Sequence, residues 1–192
     1  MRIVGGEYRG RKLETPADDK IRPTTDRVRE AIFNILGHNQ PALPQGAKVL
    51  DLFSGTGAFG LEALSRGATQ VVFVDRAMAS LKLAKGNARN LSVIDQCVFV
   101  KADAANLKGP NPFAGPKSPS GVADLVFADP PYDQGLLAPA LVSARDAGWI
   151  GLDSYILAET ASSEAIVLGP DFEVESERAY GHSKITRISL AR

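Results

Sequence analysis

At 192 residues, with 44% hydrophobic and 23% charged side chains, the chain has the size and composition of one globular domain, which excludes disordered and fibrous classes. No apolar run approaches the roughly 20 residues of a membrane span, and the opening MRIVGGEYRGRK enters charge at once, so a soluble cytoplasmic protein without a membrane partner is expected. The formal charge is zero, 22 basic against 22 acidic residues, yet residues 1–29 carry eight basic and five acidic side chains, so a neutral molecule can still turn one positive face to phosphates.

Taken in chain order, an N-terminal segment with turn signals at Gly5-Gly6 and Gly10 precedes a helical pattern over Thr24–Leu36. There Val28, Ala31, Ile32, Ile35 and Leu36 recur at i, i+3, i+4, i+7 and i+8; Thr24, Thr25 or Asp26 can cap the start and Gly37 the end. Strand-length apolar runs then alternate with helical patterns: Lys48–Leu52 then Gly57–Arg66, and Val71–Asp75 then Ala77–Leu91, with Ala77, Leu81, Ala84, Ala88 and Leu91 on one face. Further strands are expected at Val98–Ala102, Leu125–Asp129 and Tyr155–Glu159, with a helix over Leu136–Ala147. Alternating β and α with near-continuous apolar strands predicts an α/β fold, a parallel sheet with helices on both faces. Phe172–Tyr180 and Lys184–Leu190 flank Gly181 and read as an antiparallel hairpin closing the sheet. Residues 109–121, with three glycines and four prolines, read as an exposed loop. The single cysteine, Cys97, can form no internal disulfide and reads as a buried thiol.

The stretch VLDLFSGTGAFG, residues 49–60, is a strand, a turn with Gly55, Gly57 and Gly60, and a helix. Glycines allow the tight reversal and the approach of a ligand to backbone N–H groups. Asp75 ends the next strand, 20 residues after Gly55, where a carboxylate can accept both hydroxyls of an adenosine ribose. Asp51 decides between nucleotides: it would repel the doubly negative pyrophosphate of a dinucleotide but attract the ammonium and sulfonium of S-adenosylmethionine. Asp103, followed by Ala104 and Ala105, is placed to accept from an adenine amino group, and equally to cap a helical turn.

Asp129-Pro130-Pro131-Tyr132 stands at the end of the fourth strand, the edge where ligands of open α/β sheets lie. Two prolines fix φ and remove two donors, so the turn presents acceptors, which suits a planar amine. Asp129 and the Pro130 carbonyl could accept the two hydrogens of an exocyclic NH2, with Tyr132 stacked on the base. Taken alone, a PPY turn with a core tyrosine is commonplace. The chain shows no clustered His/Cys ligand set, so no metal is expected, and neither His38 nor His182 is assigned a role in chemistry.

The pair DLFSGTG and DPPY resembles class I methyltransferases of exocyclic or amide nitrogens. Together with RIVGGEYRGRKLETP, RPTTDRVREAIFNIL, LEALSRGA and RAYGHSKITRISL, it is similar to the bacterial RsmD family, which methylates guanine N2 in 16S ribosomal RNA of the small subunit. The resemblance runs over nearly the whole chain and departs at 109–121. It implies a class I S-adenosylmethionine-dependent methyltransferase (Rossmann-like) sheet in residues 23–192, behind a small basic extension, residues 1–22, that contacts RNA. It further implies that Asp51, Phe53, Ser54, Gly55, Thr56, Gly57, Gly60, Asp75, Arg76, Asp103 and Ala104 hold S-adenosylmethionine, and that Asp129, Pro130, Pro131 and Tyr132 hold the guanine. Arg2, Arg9, Arg11, Lys12, Arg22 and Arg27 are the expected RNA contacts, although a solvent-facing role explains Arg27 as well. A monomer is expected, acting on ribosomal RNA or on a small-subunit particle. Open alternatives are a DNA adenine or protein glutamine methyltransferase, whose families more often place Asn before the two prolines; a noncatalytic RNA-binding assembly factor; and an NAD-dependent oxidoreductase, which Asp51 and DPPY disfavour.

Overall fold

The computed structural model describes residues 1–16, 26–38, 43–115 and 121–191. Its elements follow the predicted alternation: α1 (Asp26–Gly37), β1 (Lys48–Leu52), α2 (Ala58–Ser65), β2 (Gln70–Asp75), α3 (Met78–Asn90), β3 (Cys97–Lys101), β4 (Leu125–Ala128), α4 (Leu137–Asp146), β5 (Tyr155–Ala161), β6 (Phe172–Tyr180) and β7 (Ser183–Leu190). They build one seven-stranded sheet in the order β3-β2-β1-β4-β5-β7-β6. The first five strands in that order are parallel, while β7 runs antiparallel to both β5 and β6. The order reverses between β1 and β4, which opens a crevice at the carboxyl ends of those strands.

Strand alternation sends side chains to two apolar layers. Val49, Val71, Phe73, Leu125 and Phe127 pack under α1, α2 and α3, whereas Leu50, Leu52, Val72, Val126 and Ile156 pack under α4, Phe113 and Trp149. Asp51 pairs in register with Phe73 and Phe127, so it shares their face, beneath α2. An ionisable group in that row is the exception in an apolar layer.

The N-terminal segment is part of this first layer. Ile3 N–H donates to Arg11 O (3.0 Å) and Leu13 N–H to Met1 O (3.1 Å), closing a small loop that buries Ile3 and Leu13. Buried Glu62 of α2 accepts from Val4 N–H (2.8 Å) and Gly5 N–H (2.7 Å). It also receives Arg66 Nε (2.8 Å) and lies 3.5 Å from Arg29 Nε. Arg29 itself, fully buried, donates to Asp26 and to the Arg2 carbonyl. Buried Asn87 of α3 bridges Glu14, by bonds of 2.8 and 3.1 Å, to the Thr56 carbonyl (3.1 Å).

Several expectations shift. The buried side of α1 carries Arg29 and Phe33 in place of Ala31 and Ile35, because Glu62 neutralises the arginine and Phe33 stacks on Phe59 at 4.9 Å. Ala77 precedes α3 and is exposed, and within α3 Asn87 is buried, since the N-terminal segment satisfies the amide. The loop at 109–121 is anchored over its described part: Phe113 is buried, and Asn111 Nδ2 donates to the carbonyls of Gly121 and Gly148. Residues 116–120 lie outside the described residues, as do the proposed caps Thr24 and Thr25. Cys97 is half-buried; desolvation, then the charge of Asp95, pushes its thiol up to about 12, so it stays protonated and unreactive.

Candidate active site

Leu52 ends β1 and the chain turns at Phe53, whose φ of 63° is a left-handed backbone that bulky residues rarely adopt. Gly57 follows with φ 76°, and a Cβ there would lie 2.9 Å from the Ala84 Cβ. At Gly60 a Cβ would run into the Phe73 ring and Val71, so this glycine lets α2 settle onto β2. The turn is thus fixed by close packing from both sides.

A cavity of about 560 Å³ opens above it at the carboxyl edge of the sheet. Asp51, Phe53, Ser54, Gly55, Thr56, Asp75, Arg76, Asp103, Ala104, Asp129, Pro130, Pro131 and Tyr132 all line it, so the nucleotide turn, the strand-end acids and the DPPY turn share one space. Gly57 and Gly60 do not reach its surface; their part is packing. Met1, Phe59, Ser80, Phe127 and Leu136 are among the further lining residues, none of them assigned to the site from the sequence. Phe127 and Phe59 stack at 3.9 Å to form part of its apolar side, and only the alternation of β4 could have pointed to the former.

The acids are oriented by backbone donors. Asp75 Oδ2 accepts from Gly55 N–H (2.9 Å) and Oδ1 from Ala77 N–H (2.7 Å), which fixes the carboxylate and leaves lone pairs for hydroxyls. Asp103 Oδ1 accepts from Ala105 N–H (3.0 Å), capping the short helical turn Ala104–Asn106, while the residue still lines the cavity. Asp51, 2% exposed, accepts a single hydrogen bond from Gly60 N–H (3.1 Å) among the described residues. Burial, and then the charge of Asp75, raises its carboxyl well above the usual range, with the Gly60 bond opposing. A bound cation would relieve that cost. Ser54 Oγ is buried without a partner among the described residues. The residues present therefore fit a ligand that brings a cation to Asp51, hydroxyls to Asp75 and a polar group to Ser54.

On the other side of the cavity, Asp129 N–H reaches the Leu52 carbonyl at 3.4 Å and places the first DPPY residue just beyond β4. Asp129 is half-buried, Pro130 buried and Pro131 exposed. The Tyr132 hydroxyl lies 3.2 Å from Ser183 Oγ, which ties the ring to the start of β7; a contact across 51 residues leaves no local sequence signal. Arg2, Arg9, Arg11, Lys12 and Arg27 are exposed and stand outside the cavity, and Arg22 lies outside the described residues. Among the described residues no group of three or more His, Cys, Asp or Glu could hold a metal ion, and no helix is long and apolar enough to cross a membrane.

A family model described as conserved hypothetical protein 95 matches residues 1–189. A relative from Escherichia coli (strain K12) named ribosomal RNA small subunit methyltransferase D is 35% identical over 185 residues, which are 94% of this chain and 85% of that protein. The chain belongs to the RsmD family. YlbH of Bacillus subtilis (strain 168) is 34% identical over 187 residues, 97% of this chain and 91% of that protein. A solved structure of yhhF from Escherichia coli superimposes with a TM-score of 0.78 at 31% identity, covering 99% of this chain and 97% of that one. The fold is accordingly the class I, Rossmann-like methyltransferase fold, as the RsmD motifs imply.

Proposed function

We propose that this RsmD-family protein transfers a methyl group from S-adenosylmethionine to the exocyclic N2 amine of a guanine in 16S ribosomal RNA. The observation that carries the reading is that the acids of the nucleotide turn and the DPPY turn open into one cavity. When bound, S-adenosylmethionine supplies an electrophilic methyl on a sulfonium. Asp75 accepts from its ribose hydroxyls, Asp103 from its adenine amine, and Asp51 faces its positive end. Phe53, Ser54, Gly55, Thr56, Arg76 and Ala104 line the remaining wall.

The guanine amine is a poor nucleophile because its lone pair is delocalised into the ring. Asp129 and the Pro130 carbonyl accept hydrogen bonds from its two N–H groups, turning the nitrogen toward the methyl and favouring localisation of the lone pair. As the N–C bond forms the methyl–sulfur bond breaks, a thioether leaves, and the nitrogen gives up one proton along its hydrogen bond to Asp129. Pro130 and Pro131 keep that turn rigid. Tyr132, held by Ser183, stacks on the extruded base. Arg2, Arg9, Arg11 and Lys12 of the N-terminal extension, with Arg22 and Arg27, lie on RNA phosphates.

The test is methyl transfer from labelled S-adenosylmethionine to separate small-subunit RNA, DNA and protein fractions, followed by mapping of the modified nucleotide. Label in guanine N2 of the RNA is expected; label only in DNA or protein overturns the assignment. Asp129→Ala should lose about 100-fold or more in turnover, the scale of removing a preorganised electrostatic contact, while keeping most of the cofactor affinity. Full turnover in that variant would reduce DPPY to a structural turn.

A further inference from the structure

One face of α3 carries cations that the fold does not use. Lys82, Lys85 and Arg89 follow one another at spacings of three and four residues, so they lie within one narrow arc of the helix, and all three are exposed. None of them forms an ion pair among the described residues, in contrast to Arg66, Arg145 and Lys184. The helix, MASLKLAKGNARN, contains no acid. Like charges at these spacings repel and destabilise an isolated helix. The helix dipole favours a cation only near the C-terminal end, which accounts for Arg89 and leaves Lys82 and Lys85 unexplained.

The two ends of α3 are occupied. At its start, Arg76 and Ala77, just before the first helical residue, line the cavity. At its finish, Arg11 Nη2 donates to the Asn90 carbonyl at 2.6 Å, so the exposed basic loop of the N-terminal segment abuts the end of α3. Glu14 is the acid beside this junction, its Oε1 accepting from Asn90 Nδ2 at 3.3 Å. The distance from Lys82 to Arg89 is about 10 Å along the helix axis, at 1.5 Å per residue.

We propose that the exposed face of α3 is an RNA-phosphate track, joining the rim of the cavity to the basic N-terminal loop, so that the substrate backbone runs along Lys82, Lys85 and Arg89 while its target base enters the site. This rests on the RNA methyltransferase reading above. In a chain with no net charge, a local row of unneutralised cations is what a polyanion would recognise, and an acidic protein surface would be the competing occupant.

The experiment compares wild type with the triple variant Lys82→Ala, Lys85→Ala, Arg89→Ala. Affinity for small-subunit ribosomal RNA is measured at several salt concentrations, together with S-adenosylmethionine affinity and steady-state methylation. A control variant replaces Lys48, Lys108 and Arg178, exposed or half-exposed cations away from this face, so that the change in total charge is the same. The slope of log affinity against log salt should become shallower by about two to three units in the α3 variant, at roughly 0.7 to 0.9 per phosphate contact, and by much less in the control. KM for RNA should rise while kcat at saturating RNA and the cofactor affinity stay unchanged. An unaltered slope in a variant that still methylates RNA overturns the track and leaves the activity standing. Equal slopes in the α3 and control variants overturn it too, because the effect is then one of total charge. RNA binding with the expected slopes but no methyl transfer by wild type would support the track and overturn the proposed function, and tighter binding to an acidic polypeptide than to RNA would assign the face to a protein partner.

Discussion

Asp51 and Glu62 are both almost inaccessible, 2% and 0% exposed, and both bond to or belong to α2, yet they are neutralised in opposite ways. Glu62 is surrounded by the chain's own donors: two backbone N–H groups, Arg66 and Arg29. Asp51 has one backbone bond and no cation among the described residues, and it borders the cavity. A buried charge whose partners are internal holds a structure together. One that has a single backbone bond among the described residues and borders a cavity is, under the proposed function, neutralised by the ligand. Burial alone does not separate these cases; the origin of the counter-charge does.

The sharpest way to break the comparison is at Glu62. Glu62→Ala takes a carboxylate away from the buried Arg29 guanidinium and frees the Val4 and Gly5 N–H groups from their acceptor. Breaking a buried pair from one side costs about 3–5 kcal/mol, which denaturant unfolding would register. The N-terminal segment should also become sensitive to protease before the rest of the chain. A loss below about 1 kcal/mol would mean that Glu62 is no more than a packed side chain, since that is the scale of an exposed ion pair.

Much of the scaffold was legible because it is encoded locally. Strand-length apolar runs alternate with helical periods, and Gly55 and Gly57 of DLFSGTGAFG stand at a strand-to-helix reversal. Asp51, Asp75 and Asp103 were legible because acids at three successive strand ends are out of place in apolar sequence. Arg29, Asn87 and Ser183 were not, because each is explained by a residue far along the chain: Glu62 at 33 positions, Glu14 at 73 and Tyr132 at 51. Arg29 and Asn87 look like solvent-facing positions until those partners are known. The anchoring of the 109–115 loop by Phe113 was hidden by the glycines and prolines around it.

Asp75 sits between the two extremes, since its backbone bonds serve the fold and its remaining lone pairs face the cavity. Asp75→Ala should weaken S-adenosylmethionine binding by about 1–3 kcal/mol, because the ligand hydroxyls lose their acceptor in a closed site. Calorimetry on a variant shown to be folded would read this. Unchanged affinity would move the ribose elsewhere and leave Asp75 with a purely structural part.

The smallest effect, and the one that probes the comparison from the other side, is expected at Asp51. Asp51→Asn keeps an oxygen for the Gly60 N–H but removes the desolvated charge. Because burial raises the folded-state carboxyl above its unfolded value, the contribution of Asp51 to stability is fully present below the ordinary carboxylate range, about 3.9, and is lost as pH rises through the raised value. The variant has no such loss. Its Tm in the absence of ligand should therefore exceed that of wild type at neutral pH, and the difference should shrink on acidification toward the range where wild-type Asp51 is protonated. Saturating S-adenosylmethionine should reverse the order at neutral pH, since only the carboxylate gains a counter-charge from the ligand, and a ligand stabilises the form it binds more tightly. Thermal unfolding of both proteins at acidic and neutral pH, with and without the cofactor, decides the point. A variant less stable than wild type without ligand would show that Asp51 already has its partner inside the fold, and would place it beside Glu62 as a structural charge.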